Sequence, residues 1–213
     1  MKASDIISEA ATVLLDPDHQ FWPTSELLQY INAAQVEIVN VEPGANTVTE
    51  AVTLVAGVEQ LLPAGAIRLI DVITNTSDGA VTAVDRRNLD RMVPGWMAAT
   101  AADTEHYMYD ERAPASFAVY PPATAGSKVT AIYVATPEPA GTENDDLALP
   151  GRYRPAIVNY VLSQAHAKNT QAAVPQRAQA YYQLFLNALN MQTQSNRAQS
   201  AGHPDDTNPR ELR

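Results

Sequence analysis

The apolar residues of this chain recur every three or four positions in two segments near its N-terminus, which is the spacing of helices that bury one face. The first segment begins near Ser4–Asp5, residue types that cap helices, and ends at Asp16–Pro17. The second begins at Pro23, whose fixed φ suits a first helical turn, and ends at Pro43–Gly44. The predicted buried stripe of the second helix is Leu27, Ile31, Ala34, Ile38 and Val41.

The same period returns near the C-terminus. Pro155 opens a third predicted helix, with Ile157 and Val161 on its apolar face, and Asn169 breaks it. A fourth helix begins at Pro175, and its predicted buried stripe is Tyr181, Leu184, Ala188 and Met191. Because each helix has a single apolar stripe, the simplest arrangement packs all four on one another as a four-helix cluster.

The middle of the chain, residues 47–140, changes to short runs rich in β-branched and aromatic residues, separated by turn sequences such as Ser77-Asp78-Gly79. These runs predict seven or so short, mostly antiparallel strands. The whole chain is therefore predicted to be an α+β protein with an inserted antiparallel β domain. The predicted domains are a helical domain of residues 1–46 and 151–192, a β domain of residues 47–150, and a flexible C-terminal arm of residues 193–213, where apolar residues almost vanish.

Charge is distributed unevenly along the 213 residues, whose net charge is −10. Residues 1–150 hold 7 Lys/Arg and 21 Asp/Glu, whereas residues 151–213 hold 7 and 3, so that the net charges are −14 and +4. An acidic body repels a phosphate backbone, which argues against DNA binding as the main function. The asymmetry favours two ends that meet different protein surfaces, or head-to-tail contacts between copies.

The sequence offers little for chemistry. It has no cysteine, and none of its four histidines has a second ligand at the spacing of a metal site. Neither a phosphate-binding loop nor a nucleophile elbow occurs. We therefore expect no catalytic residue, no cofactor and no metal, and the absence of a run of about 20 apolar residues predicts no membrane span. One alternative is a hydrolase that uses loop carboxylates, Asp145–Asp146 or Asp110–Glu111, as an acid/base pair.

Two aromatic segments, residues 106–110 and 117–122, leave a second alternative open. Their rings could stack on sugars, as in a non-catalytic carbohydrate-binding tail component. The interpretation that we favour is that alternate residues of two paired strands pack into a core, because cross-strand aromatic pairs stabilise sheets.

Five segments taken in order resemble the adaptor, or head-to-tail connector, proteins of short-tailed phages, including the tail tubular protein A group. They are AATVLLDPDHQFWPTSELLQYINAAQVEIVNVEPGA, TLVAGVEQLLPAGAIRLIDVITN, RRNLDRMVPGW, YMYDERAPASFAVYPP and RPAIVNYVLSQAHAKNTQAAVPQRAQAYYQLF. The resemblance implies a homo-oligomeric ring, commonly twelvefold, that joins the portal protein to the tail nozzle protein in the virion neck. It also implies synthesis in the host cytoplasm, genome passage through the lumen without specific DNA binding, and no enzymatic activity.

Several residues are candidates for contacts in such an assembly. We expect Trp22 to anchor the start of the second helix, and Asn32 and Gln35 to make polar contacts at the edge of a close helix approach through Ala33–Ala34. Tyr181 is a further candidate for helix packing or a subunit contact. The arm is expected to order on the portal through Arg197, Arg210 and Arg213.

Overall fold

A computed structural model describes residues 1–101, 103–168 and 174–200, excluding the side chains of residues 175 and 197–200. Its two N-terminal and two C-terminal helices flank a run of seven strands that is interrupted by one short α-helix, and this segregation confirms the predicted α+β class. The helices are α1 (Ala3–Leu14), α2 (Thr24–Val41), α3 (Arg86–Met92), α4 (Arg154–Ala167) and α5 (Pro175–Ser200). The strands are β1 (Thr47–Thr53), β2 (Gly57–Leu61), β3 (Ala66–Asn75), β4 (Thr82–Ala83), β5 (His106–Tyr109), β6 (Ser116–Ala123) and β7 (Lys128–Ala135).

The chain divides into two compact units. A helical unit consists of Met1–Ala45 with Pro137 and the residues after it, and a β unit consists of Asn46–Thr136. In the helical unit α4 packs against α1, α2 and α5, and α1 also packs against α2. Eight of the 14 residues of α4 are buried, which fits its position among three partners.

The loop of residues 137–150 belongs to the helical unit, although the sequence analysis placed it in the β domain. The side-chain amide of Asn32 both donates to Ala140 O and accepts from Ala140 N, each at 2.9 Å. Further along the loop, Ala3 N donates to Asp145 O at 3.1 Å. These bonds satisfy backbone groups of a segment without regular structure, and its polar composition alone could not reveal them.

Helix α5 continues to Ser200, which corrects the prediction that a flexible arm begins at residue 193. Thr193 Oγ1 donates to Glu42 Oε2 at 3.1 Å, and Asn196 Nδ2 donates to Glu42 Oε1. Glu42 is buried, and these two donors stabilise its carboxylate. Thr193 and Asn196 therefore hold this part of α5 on the end of α2, and residues 201–213 lie outside the described part.

The predicted buried stripe of α5 is also wrong. Leu184 is 49% exposed and Met191 is 72% exposed, whereas Phe185 and Leu189 are buried. Both stripes repeat every three or four residues, so the period alone did not decide which one faces α4. As a result, α5 presents apolar side chains outwards.

The β unit contains two sheets, with strand orders β1-β7-β3 and β2-β6-β5-β4. The pairs are antiparallel except for β4 and β5, which run parallel. Inward residues of both sheets, such as Val72, Val119, Val129 and Ala131, form one core. A smaller cluster of Leu89, Trp96 and Met108 lies under α3.

Candidate functional site

The turn between α1 and α2, residues 15–22, holds two non-glycine residues in the left-handed region. Leu15 has φ 56° and His19 has φ 53°. Leu15 N donates to Thr12 O and Asp16 N donates to Ala11 O, the pattern of a Schellman motif that ends a helix. Glycine usually occupies the left-handed position of this motif, because a Cβ there costs about 1 kcal/mol. The turn is therefore strained at a point where the leucine side chain points to solvent.

Asp16 holds this turn in place. Its carboxylate accepts hydrogen bonds from Gln20 N at 2.8 Å and from Phe21 N and Trp22 N, both at 2.9 Å. Burial would raise the pKa of Asp16, but the three backbone donors outweigh burial and hold the pKa below its usual value of 3.8. The charged carboxylate thus satisfies the backbone donors that precede α2, whose own N-cap residue, Pro23, makes no side-chain cap.

Trp22 anchors the start of α2 inside the helical unit. Its side chain is buried, and its Nε1 donates to Ala165 O on α4 at 3.0 Å. Beside it, Lys168 Nζ donates to Phe21 O at 3.1 Å and to Glu26 Oε2 at 2.5 Å. Burial would raise the pKa of Glu26, but the contacts with Lys168 and Tyr30 lower it overall. These contacts join the α1–α2 turn to the C-terminal end of α4.

Asn32 and Gln35 contact the loop of residues 137–150 instead of another helix. Gln35 is fully buried, which corrects the expectation of a polar contact at the edge. Its Oε1 accepts from Leu149 N at 3.3 Å, and its Nε2 donates to Asn32 Oδ1 at 3.4 Å. Of the two small neighbours, Ala34 is buried and Ala33 is exposed. This pair of amides fixes the loop on α2.

Tyr181 stacks on His166, with ring centroids 5.6 Å apart and an interplanar angle of 9°. The histidine ring also contacts Trp22 edge to face, with centroids 6.3 Å apart, and its Nδ1 accepts a hydrogen bond from Val174 N at 3.3 Å. Burial lowers the pKa of His166, and nearby Arg177 adds to the effect. Tyr181 therefore closes the junction between α4 and α5. Of the predicted portal contacts, Arg197 lies in α5 with an undescribed side chain, and Arg210 and Arg213 lie outside the described residues.

The carboxylates of the hydrolase alternative have local structural partners. Asp145 accepts from Gly141 N and Thr142 N, both at 2.9 Å, and from Thr142 Oγ1 at 2.8 Å. The hydrogen bonds from Thr142 and Gly141 lower the pKa of Asp145, so it lacks the raised pKa expected of a general acid. Asp110 accepts from Arg112 N at 3.0 Å within an exposed turn. Within the described ranges, no group of His, Asp and Glu could hold a metal ion.

The aromatic residues of β5 and β6 are engaged in packing. Tyr107 and Phe117 are buried in the β-unit core, and Tyr107 OH donates to Asp71 Oδ1 at 2.8 Å. The rings of His106 and Tyr120 stack with their centroids 6.0 Å apart, and Trp96 contacts Tyr120 edge to face. One face of Tyr120 is thus covered by His106, which leaves no open pair of rings for a sugar in this part of the sheet.

A cleft of about 860 Å³ opens on the β unit beside these rings. Both charge signs line it: Arg86, Arg87 and Arg112, with Glu59, Asp85, Asp110 and Glu111. Asp85 accepts from Arg87 N at 2.7 Å and so caps α3. Because Asp85 caps α3 and Asp110 accepts a backbone hydrogen bond within a turn, this open cleft resembles a solvated surface more than an acid/base site.

The family model described as SU10 adaptor protein matches residues 1–205, which include most of both units. The chain belongs to the SU10 adaptor protein family. None of the curated proteins compared with the chain matches it. The resemblance to phage adaptor proteins is therefore confirmed, and the chain is a structural phage adaptor, a component of the virion neck that contacts other head–tail components. None of the helices in the described part is long and apolar enough to span a membrane.

The helical unit of this adaptor also contains an apolar groove of about 360 Å³ that the sequence pattern does not predict. The groove lies between the N-terminal end of α4 and the C-terminal half of α5, and its walls include Tyr153, Pro155, Ala156, Ala188 and Met191. One feature of the sequence indicates the unusual turn: a leucine stands directly before Asp-Pro at the end of a helix, where glycine is the usual residue.

Proposed function

We propose that the adaptor forms a ring that joins the portal to the tail nozzle and lines the channel through which the genome leaves the capsid. The observation that carries the proposal is the family match over residues 1–205, which includes both units in a single match.

The charge of the chain supports passage of DNA without adhesion. Residues 1–150 carry a net charge of −14, so a lumen formed by this part would repel the phosphate backbone. A basic lumen would instead exchange counterions with DNA and retain it. The twelvefold symmetry of the proposed ring rests on the resemblance to phage adaptors alone.

The residues after α5 are proposed to bind the portal. Their basic members are Arg210 and Arg213, and Arg197 precedes them in the last turn of α5. Because Glu42 binds Thr193 and Asn196, a truncation at residue 193 would leave a buried carboxylate without its donors. A truncation after Ser200 keeps these contacts and tests the segment alone.

The test mixes the adaptor with portal rings purified from the same virus and examines the complex by negative-stain electron microscopy. The expected result is a ring of adaptor copies on one end of the portal, which the variant lacking residues 201–213 fails to form. Arg210→Ala/Arg213→Ala should weaken binding, whereas the matched change Asp205→Asn/Asp206→Asn should not. Full binding by the truncated chain would contradict the assignment of this segment, and a wild-type chain that never binds the portal would contradict the proposed function.

A further inference from the structure

Among the residues that the structure describes, Leu15 is the most exposed large apolar residue, at 88% of its full accessibility. It also lies in the left-handed region, which disfavours any residue with a Cβ. A glycine would end α1 with less strain, and a polar residue would expose less apolar surface. Neither folding nor solubility explains this leucine, and strained residues held by their surroundings cluster at functional positions.

The leucine is held on a rigid support. The Asp16 carboxylate binds three backbone N–H groups of the same turn, and Trp22 fixes the end of the turn to α4. The backbone of the turn that carries the side chain therefore needs little ordering when a partner binds, which reduces the entropy loss of association. Asp18, three residues further along the same turn, is exposed and carries a negative charge.

The groove between α4 and α5 has the complementary properties. It is mainly apolar, it is large enough for a leucine side chain at about 360 Å³, and Arg152 lies on its rim. Charge complementarity extends to the surrounding helices. Helices α1 and α2 carry four carboxylates and no Lys or Arg, whereas α4 and α5 carry three Arg and no carboxylate. Within one copy Glu9 already pairs with Arg154 and Glu26 with Lys168. Among the described side chains, the charges of these helices that remain for a second copy are therefore Asp5, Glu37 and Arg177.

We propose that Leu15 of one copy inserts into the α4–α5 groove of a second copy, with Asp18 facing Arg152. The two surfaces lie at opposite ends of α4, because the turn is fixed at Ala165 and the groove is formed by Pro155 and Ala156. Nine residues of helix separate Ala156 from Ala165, roughly 14 Å. The contact is thus head to tail, the type that closes into a ring, and the inference rests on the proposed ring.

Cross-linking tests the contact directly, because the chain contains no native cysteine. The double variant Pro17→Cys/Met191→Cys keeps Leu15 and places one cysteine at an exposed position of the same turn. Treated at high protein concentration with a short bismaleimide, it should give a ladder of covalent dimers, trimers and larger species. Its matched control is Pro17→Cys/Gln183→Cys, in which the second cysteine is also exposed on α5 but lies outside the groove. A ladder from the Met191→Cys variant with none from the Gln183→Cys variant supports the contact. Equal products in both variants, or none in either, would overturn it.

Substitution tests the side chain. Leu15→Gly should raise the denaturant midpoint of the helical unit, because it removes the strain, and should weaken self-association about tenfold or more. His19→Gly is the matched control, since it places glycine at the other left-handed position of the turn and keeps the leucine. Unchanged self-association of Leu15→Gly would refute the insertion.

Mixing two variants identifies the occupant of the groove. Leu15→Gly lacks the projection, and Met191→Lys places a charge in the groove at an exposed position. Neither should form chains alone, but an equimolar mixture should give heterodimers through the one intact pair of surfaces. No heterodimer would show that the occupant is residues 201–213 or another virion protein. If no heterodimer forms but wild-type rings still form on the portal, only the Leu15 contact is refuted. If wild-type rings do not form on the portal either, the proposed function is refuted as well.

Discussion

Replacing Asp16 with asparagine tests whether the α1–α2 turn depends on one carboxylate. Asparagine has nearly the same shape but only one acceptor oxygen and no charge. If that oxygen takes the position of Oδ2, it keeps the bonds from Phe21 N and Trp22 N. The amide NH₂ then faces Gln20 N, so one partly buried donor loses its acceptor.

The expected loss follows from these bonds. Hydrogen bonds to a charged group contribute about 1.5–3 kcal/mol each and neutral ones about 1 kcal/mol. Three charge-assisted bonds therefore become two neutral ones, and relief of the burial of a charge offsets part of the difference. We expect Asp16→Asn to lower the free energy of unfolding of the helical unit by about 2 kcal/mol.

Urea unfolding followed by the ellipticity at 222 nm measures this loss, and its pH dependence gives a second test. The pKa of Asp16 in the folded state lies below the usual 3.8, so its stabilisation is complete well above pH 3.8 and is lost as pH falls through the lower folded-state pKa. The difference between wild type and Asp16→Asn should therefore be constant near neutral pH and shrink below about pH 4.

Asp18→Asn is the matched control. Asp18 is an exposed carboxylate of the same turn, and its loss should change the free energy of unfolding by less than about 0.5 kcal/mol. Equal midpoints for Asp16→Asn and Asp18→Asn at neutral pH would refute the role of Asp16. So would a difference from wild type that persists unchanged at acidic pH.

Three further substitutions probe other parts of the chain by the same unfolding assay. Trp22→Phe removes the bond from Nε1 to Ala165 O and part of a buried ring. It should lower the free energy of unfolding of the helical unit by about 2–3 kcal/mol, with no change in the β unit. A decrease of less than about 0.5 kcal/mol would contradict the anchoring role. Gln35→Leu leaves Leu149 N without its acceptor and should cost about 1–3 kcal/mol, whereas Gln29→Leu at an exposed position of α2 should cost little. Tyr107→Phe removes the bond to Asp71 and should cost about 1 kcal/mol. Burial and Asp71 raise the pKa of Tyr107 to about 12, so this contribution should be lost as pH rises from 10 to 12, provided that the unit remains folded there.

Periodicity predicted the helices well because each of them buries a stripe. The helices of the helical unit lie close to where the spacing placed them, and the strands of the β unit follow the β-branched runs. Periodicity could not decide between two adjacent stripes on α5, because Leu184 and Phe185 are neighbours and both belong to an apolar repeat. Only the position of α4 makes Phe185 the buried one.

Polar residues were harder to interpret, because their partners lie far away in sequence. Gln35 and Leu149 are separated by 114 positions, and Glu42 and Asn196 by 154. A short-range pattern contains no information on such pairs, so Gln35 was placed at an edge and the end of α5 was assigned to a flexible arm. The Leu15 turn was missed for another reason, since its left-handed backbone is a local feature that the residue type does not favour.

The central claim is that copies of the adaptor join head to tail into a ring on the portal. Cryo-electron microscopy of the adaptor–portal complex tests it most directly. The account predicts a closed ring in which the α1–α2 turn of each copy contacts the α4–α5 groove of the next, with Leu15 inside the groove. Adaptor copies bound singly to the portal, with the turn facing solvent and the groove empty, would contradict it.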